Sequence, residues 1–275
     1  METKPVAVEI DSLPNVERVR YSVCTLVTRP DQYREMLESF QAGGFTPANS
    51  EFIYIDNSHG NKYDGYSATN RFLHVARGEF VILCHQDVRL HADRLPELDR
   101  QIEALNRHDP HWAVFGNAGG VCPGVLAIRI TDPKGENTRK GKLPARVASL
   151  DENFMVVRRA ANLSASRDLT GFHFYGTDLC VVAGMLGFTC YVVDFHLRHL
   201  GGASRAAKSK EQAFKSDYFP SRQRFIEKYR RVFAPRWIQN TGTTLFVSGS
   251  RILNFLANRK IFLSLARKYY RFFER

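Results

Sequence analysis

Three short apolar runs, each followed by an amphipathic stretch, occupy residues 21–105, and this alternation restricts the fold more than any other feature. YSVCTLV (21–27) reads as a buried strand. Thr28-Arg29-Pro30-Asp31 then signals a helix start, and Tyr33, Met36, Leu37 and Phe40 recur at helical spacing before Gly43-Gly44 ends the helix. EFIYID (51–56) and EFVILC (79–84) repeat the pattern, with helix faces at Tyr66, Leu73 and Ala76 and at Leu95, Leu98, Ile102 and Leu105. A βαβαβα order predicts an α/β fold, a mostly parallel sheet flanked by helices. Further on, strands are expected at 112–120, 125–131, 154–157 and 188–195, and a helix face at Leu179, Val182, Ala183 and Leu186. Residues 133–146, PKGENTRKGKLPAR, read as a long basic loop of the kind used as a lid or binding loop.

Charge is distributed unevenly. Residues 1–203 hold 22 Lys/Arg against 24 Asp/Glu, whereas residues 204–275 hold 17 against 4. The body is near neutral and the tail basic, as expected if the tail has a partner of its own. Of the five cysteines, Cys24, Cys84 and Cys190 lie in apolar runs, and none forms a CxxC pair, which points to a reducing compartment. The N-terminus lacks a signal-peptide pattern, and no window is apolar enough to span a bilayer, so a cytoplasmic location is expected.

In open parallel sheets, ligands bind beyond the carboxyl ends of the strands. Here those ends carry Asp56 after EFIYI and His85-Gln86-Asp87 after EFVILC. The sequence contains no GxGxxG after the first strand and no phosphate-binding GxxxxGK[ST], so dinucleotide-binding and P-loop readings lose their main support, while carboxylates can still hold a nucleotide through base, ribose or a bridging divalent ion. An oxygen-rich site with few protein ligands suits Mg²⁺ or Mn²⁺ bridging an acid to a diphosphate.

The run YSVCTLVTRP…EFIYIDNSHG…YDGYSATNRFLHVARGEFVILCHQDV resembles the donor half of family 2 glycosyltransferases of the GT-A fold, in the subgroup whose third strand ends in HQDV. LDENFMVVRR (150–159), FYGTDLCVVAGMLGF (174–188) and RHLGGAS (198–204) extend the resemblance. It covers a GT-A domain at 20–204 and leaves out the polar N-terminal arm at 1–19 and the basic helical extension at 205–275, which are read from composition and pattern alone. The implied activity is inverting transfer of a sugar from a nucleoside diphosphate sugar to a hydroxyl of a glycan or lipid-linked acceptor, in bacterial surface polysaccharide assembly. By the same resemblance, Thr25, Val27 and Thr28 line the nucleobase pocket and Asp56 accepts a hydrogen bond from base or ribose. Asn70 and Arg77 fall in the donor-binding segment, with Arg77 reaching the diphosphate. The usual D-x-D motif here reads His85-Gln86-Asp87. Asp87 is the metal ligand, Gln86 lies on the donor, and His85 ligates, bonds a phosphate or orients Asp87. His199 stands near the metal, with His196 as its competitor. Asp178 is the implied catalytic base, although an acid in a first helical turn also satisfies the helix dipole. Asp151, Arg158 and Arg159 are the acceptor candidates.

Residues 251–275 combine seven Lys/Arg and one Glu with an apolar face of Ile252, Phe255, Leu256, Phe262, Leu263, Ala266, Tyr270 and Phe273. Such a helix suits peripheral contact with an anionic membrane through 245–275, or packing on protein. A non-catalytic nucleotide-sugar-binding relative is the alternative function. A pI of 9.6 alone suggests nucleic acid, and the acidic strand ends argue against it.

Overall fold

Every residue of FVILC (80–84) is buried, as a strand covered by helices on both faces requires. In the computed structural model, which describes residues 18–201, 207–239 and 244–273, this strand is the third of the central sheet. The N-terminal arm, apart from 18–19, and the end of RHLGGAS lie outside the described residues. The first half runs β1 (Tyr21–Val27), α1 (Pro30–Ala42), β2 (Ser50–Asp56), α2 (Gly65–Val75), β3 (Phe80–Cys84), β4 (Val88–Leu90) and α3 (Leu95–His108). There follow β5 (Trp112–Gly116), β6 (Ala118–Cys122), β7 (Val125–Asp132), β8 (Gly135–Lys140), β9 (Ala145–Arg146), β10 (Ser149–Leu150) and β11 (Phe154–Arg158). The body ends with α4 (Tyr175–Met185), β12 (Thr189–Val192), β13 (Leu197–His199) and the start of α5 (Ala207–Val232).

The central sheet has the order β2-β1-β3-β11-β5-β12-β9. β1 pairs in parallel with both β2 and β3, and β12 in parallel with β5, so the expected mostly parallel α/β sheet is present. β11 runs antiparallel between β3 and β5, which sets Phe154 opposite Cys84. A second sheet, β10-β6-β7-β13-β4 with β8 beside β7, lies against the end of β3.

Local chemistry accounts for the helices. Pro30 occupies the first turn of α1, whose buried Tyr33, Met36 and Phe40 face the sheet. Asp64 caps α2 through a reciprocal bond with Ser67. Strand residues feed two cores, one on each face of the sheet. Val23, Ile82, Trp112 and Phe115 meet Met36, Phe40, Leu98 and Ile102 on one face. Cys24, Val81, Leu83 and Met155 meet Phe72, Leu179 and Ala183 on the other. Each large apolar side chain buried this way contributes roughly 1.5–3 kcal/mol.

Two expectations are corrected. The stretch 112–120 is two strands, because the chain leaves the central sheet at Gly116 and enters the second as β6. Residues 133–146 are no open loop: Gly135–Lys140 pairs with β7 as a hairpin, and Ala145–Arg146 adds an edge strand to the central sheet.

The chain divides into two compact units, one up to Ser221 and the other Arg222–Arg275. The second holds the end of α5, an antiparallel hairpin of β14 (Arg236–Gln239) and β15 (Thr244–Val247), α6 (Arg251–Ala257) and α7 (Lys260–Phe273). The basic tail therefore contains a hairpin as well as helices. No described helix is long and apolar enough to cross a membrane.

Candidate functional site

The backbone leaves the carboxyl end of β3 at His85 and crosses into the second sheet as β4 within three residues. β4 pairs antiparallel with β13, with His199 opposite Val88, and this register brings His199 beside Asp87. His199 Nε2 lies 3.2 Å from Asp87 Oδ1, and the Leu200 N–H donates to the Asp87 carbonyl at 3.0 Å. The His85 and His199 rings are 5.6 Å apart. His85 Nε2 meets the Tyr175 hydroxyl at 3.2 Å, and its backbone N–H donates to Asn153 O at 2.9 Å.

Burial, with the neighbouring His199 ring, lowers the His85 pKa and keeps that imidazole neutral. Burial acts to raise Asp87, but the hydrogen bond and charge of His199 outweigh it and hold the carboxyl below its usual range. For His199, burial is likewise overcome by Asp87, and the ring is held above its usual value. One ligand atom each from His85, Asp87 and His199 lies within 4.8 Å of the others. Two imidazole nitrogens and one carboxylate oxygen fit a divalent cation that keeps further positions open.

Gln86 has a different task. Its Oε1 accepts the N–H groups of Thr28 and Arg29, both at 2.8 Å, and its Nε2 donates to Thr28 Oγ1 at 2.8 Å. The amide ties the end of β1 to the end of β3 and has little left for a donor. Asp56 stands opposite Val27 at the end of β2, and its Oδ1 accepts from Ser58 N at 2.8 Å and Ser58 Oγ at 2.5 Å. These bonds hold the carboxylate below its usual range.

At the turn between β10 and β11 opens a cavity of about 280 Å³ whose wall includes Asp151, Glu152, His173, Phe174, Thr177 and Tyr218. Glu152 Oε1 accepts the Gly176 N–H at 3.3 Å. Burial, then the charge of Asp151, pushes its carboxyl up to about 7. Phe174, just before α4, has φ +69°. A bulky residue held in the left-handed region carries strain of about 1–3 kcal/mol, a feature that clusters at functional sites.

Several implied residues lie elsewhere. Thr25 and Val27 are buried, the former with Oγ1 against Met36 Sδ, so only Thr28 of that group reaches the ligand edge. Asn70 spends its amide on Ala165, donating at 3.0 Å and accepting at 2.8 Å. Arg77 pairs with Glu51 at 2.9 Å before β3 begins, at the sheet edge away from His85. Five strand residues, roughly 16 Å, separate the two edges. Arg158 binds Pro110 O and stacks on Trp112, and Arg159 follows it on the same far edge. His196 is buried against Thr131 at 2.9 Å, which leaves His199 as the histidine of the site. Asp178 is wholly buried, and both its oxygens accept from Ser166, from N at 2.7 Å and from Oγ at 2.7 Å. It holds the 161–170 segment on α4 and does not face the cavity. The acids that do are Asp151, already an acceptor candidate, and Glu152, which the sequence reading passed over.

No family model matches the sequence. Among solved structures, S. aureus TarS 1–349 in complex with UDP-GlcNAc is similar over 68% of this chain and 60% of its own, with 13% identity and a TM-score of 0.49. A mannosyltransferase from Pyrobaculum calidifontis in complex with GDP-Man and Mn²⁺ is similar over 69% and 59%, with 12% identity and a TM-score of 0.46. The chain thus spans about three fifths of the length of these structures. A Fuscovulum blasticum protein named ATP synthase subunits region ORF 6 is 40% identical over 222 residues, covering 78% of this chain and 86% of its own length. The name states no activity, and the chain belongs to the family of that protein.

Proposed function

We propose that the chain is a glycosyltransferase of GT-A type that moves a sugar from a nucleoside diphosphate sugar to a hydroxyl acceptor with inversion. The observation that carries this reading is the convergence of His85, Asp87 and His199 at the carboxyl edge of a parallel sheet. Thr28 and Asp56 stand on the same edge, suited to the nucleoside. The three-residue cluster would hold the divalent ion, and its two nitrogens per carboxylate favour Mn²⁺ over Mg²⁺. When bound, the ion neutralises charge on the departing diphosphate. His85 is steadied by Tyr175 and by the backbone of Asn153, and Gln86 fixes the loop over which the nucleoside would lie. The complexes reported for TarS and the mannosyltransferase name donors of this class.

The acceptor is a glycan or lipid-linked precursor of a bacterial surface polysaccharide, met at the inner face of the cytoplasmic membrane. Support for the membrane comes from the second unit, where Ile252, Phe255, Ile261, Leu265 and Tyr269 are exposed among basic residues. Release of nucleoside diphosphate from UDP-, GDP- and dTDP-sugars with Mn²⁺ tests the activity. The reading predicts release from one donor, lost in Asp87→Ala. Donor binding without any release supports the non-catalytic alternative.

A further inference from the structure

We infer that Glu152 is the general base of this site, the carboxylate that takes the proton of the acceptor hydroxyl. The inference rests on the transferase reading above and gives a role to a residue that the sequence reading left without one. Its first ground is placement. Glu152 lies in the turn between β10 and β11, and β11 runs antiparallel to β3, so this turn abuts the carboxyl end of β3. The bond from His85 N to Asn153 O fixes that junction one residue from Glu152.

The second ground is the cavity itself. Acids line it from one side, and His173, Phe174 and Tyr218 from another, with Tyr218 packed on His173 at 5.5 Å and on Phe174 at 5.1 Å between ring centroids. Polar groups facing aromatic rings suit a sugar, which offers hydroxyls at its rim and C–H groups on its faces. The third ground is the fit against α4. A Cβ on Gly176 would stand 2.8 Å from Leu150 O and 3.2 Å from Glu152 Cγ, so the missing side chain lets the carboxylate lie on the first turn of the helix. There one oxygen takes the Gly176 N–H, and the strained Phe174 backbone delivers that turn to it.

The other acids of the region are committed. Asp178 is sealed by Ser166, Asp87 is paired with His199, and Asp151 Oδ1 accepts both the backbone N–H and the side-chain amide of Asn153. Around Glu152 stand Asp151 on its own turn, Tyr175 and Cys180 of α4, and His173 on the same cavity wall, itself 3.7 Å from Asp217 of α5. Burial and Asp151 together bring the carboxyl to about 7, where a base works well at neutral pH. In the step, the acceptor O–H proton passes to Glu152 and an oxygen electron pair forms the bond to the anomeric carbon. The bond from that carbon to the diphosphate oxygen breaks, and its electron pair leaves on the nucleoside diphosphate.

Two measurements on the full chain with Mn²⁺ test this: melting-temperature shift with each nucleoside diphosphate sugar, and nucleoside diphosphate release across pH 5–9. Glu152→Gln is expected to keep the donor-induced shift and to lose release by about 10²–10⁴-fold. Wild-type release should climb with pH to a plateau above about 7, and Glu152→Asp should keep part of the rate. Release by Glu152→Gln within threefold of wild type overturns the inference while the transferase reading stands. Absence of any donor-induced shift in the wild type overturns that reading and the inference with it.

Discussion

Placing a carboxyl in a partly buried site beside a second acid costs folding energy unless it keeps its proton. Glu152 is such a group, with its folded value at about 7 against an ordinary 4.5. Because the folded state holds the proton more tightly, stability falls as pH rises from the ordinary carboxyl range through 7 and stays lower above it. Glu152→Gln should therefore be more stable than wild type at pH 8, by about 1–3 kcal/mol, and equal to it near pH 4. Urea denaturation at the two pH values decides this, and a variant less stable at pH 8 contradicts it. Asp178 presents the opposite case. Asp178→Ala strands the half-buried Ser166 N–H and should cost about 1–3 kcal/mol in the same assay. Turnover below its melting range should stay within a few fold of wild type, and a loss of 10²-fold or more would restore Asp178 as the base. The sequence could not separate these two acids. An acid in the first turn of a helix looks like a catalytic or dipole-stabilising group, and only the path of 161–170 reveals that Ser166 covers Asp178.

At the scale of elements, periodicity fixes where strands lie but not which way they run. FMVV was legible as a strand, yet its antiparallel insertion between β3 and β5 was not, because adjacent buried strands of either direction share one apolar pattern. That direction is what carries the turn Asp151-Glu152 to the ligand edge. β8 escaped for another reason: GENTRK is polar on both faces and has no alternation to read. The β2 and β3 ends were legible, since each apolar run stops at a polar group, and Asp56 and His85-Gln86-Asp87 do stand on one edge. Gln86 joins these elements. Gln86→Ala removes its three bonds to Thr28 and Arg29 and should raise the donor KM about three- to tenfold with little change in kcat. Steady-state kinetics check this, and an unchanged KM would show that the clamp does not shape the donor site.

For the whole molecule, the sequence sets a near-neutral body against a basic tail from residue 204 on, whereas the compact units divide at Ser221, inside α5. The exposed Ile261, Leu265 and Tyr269 recur every four residues along α7, among basic side chains. Sedimentation with vesicles of phosphatidylcholine and phosphatidylglycerol should capture the chain at low salt and release it as salt screens the attraction. Replacing those three residues by Ser should abolish capture at unchanged charge, and undiminished capture would contradict a membrane-facing helix. The central claim concerns the body: that His85, Asp87 and His199 gather a nucleoside diphosphate sugar through a divalent ion. The most direct measurement is the melting temperature of the wild type and Asp87→Ala with each donor, with and without Mn²⁺. At about 100 times Kd a bound donor adds about 2.7 kcal/mol, so one donor with Mn²⁺ should raise the wild-type midpoint by about 5 °C. The account predicts that this rise disappears in Asp87→Ala, and a wild type whose midpoint no donor moves, with or without Mn²⁺, would contradict it.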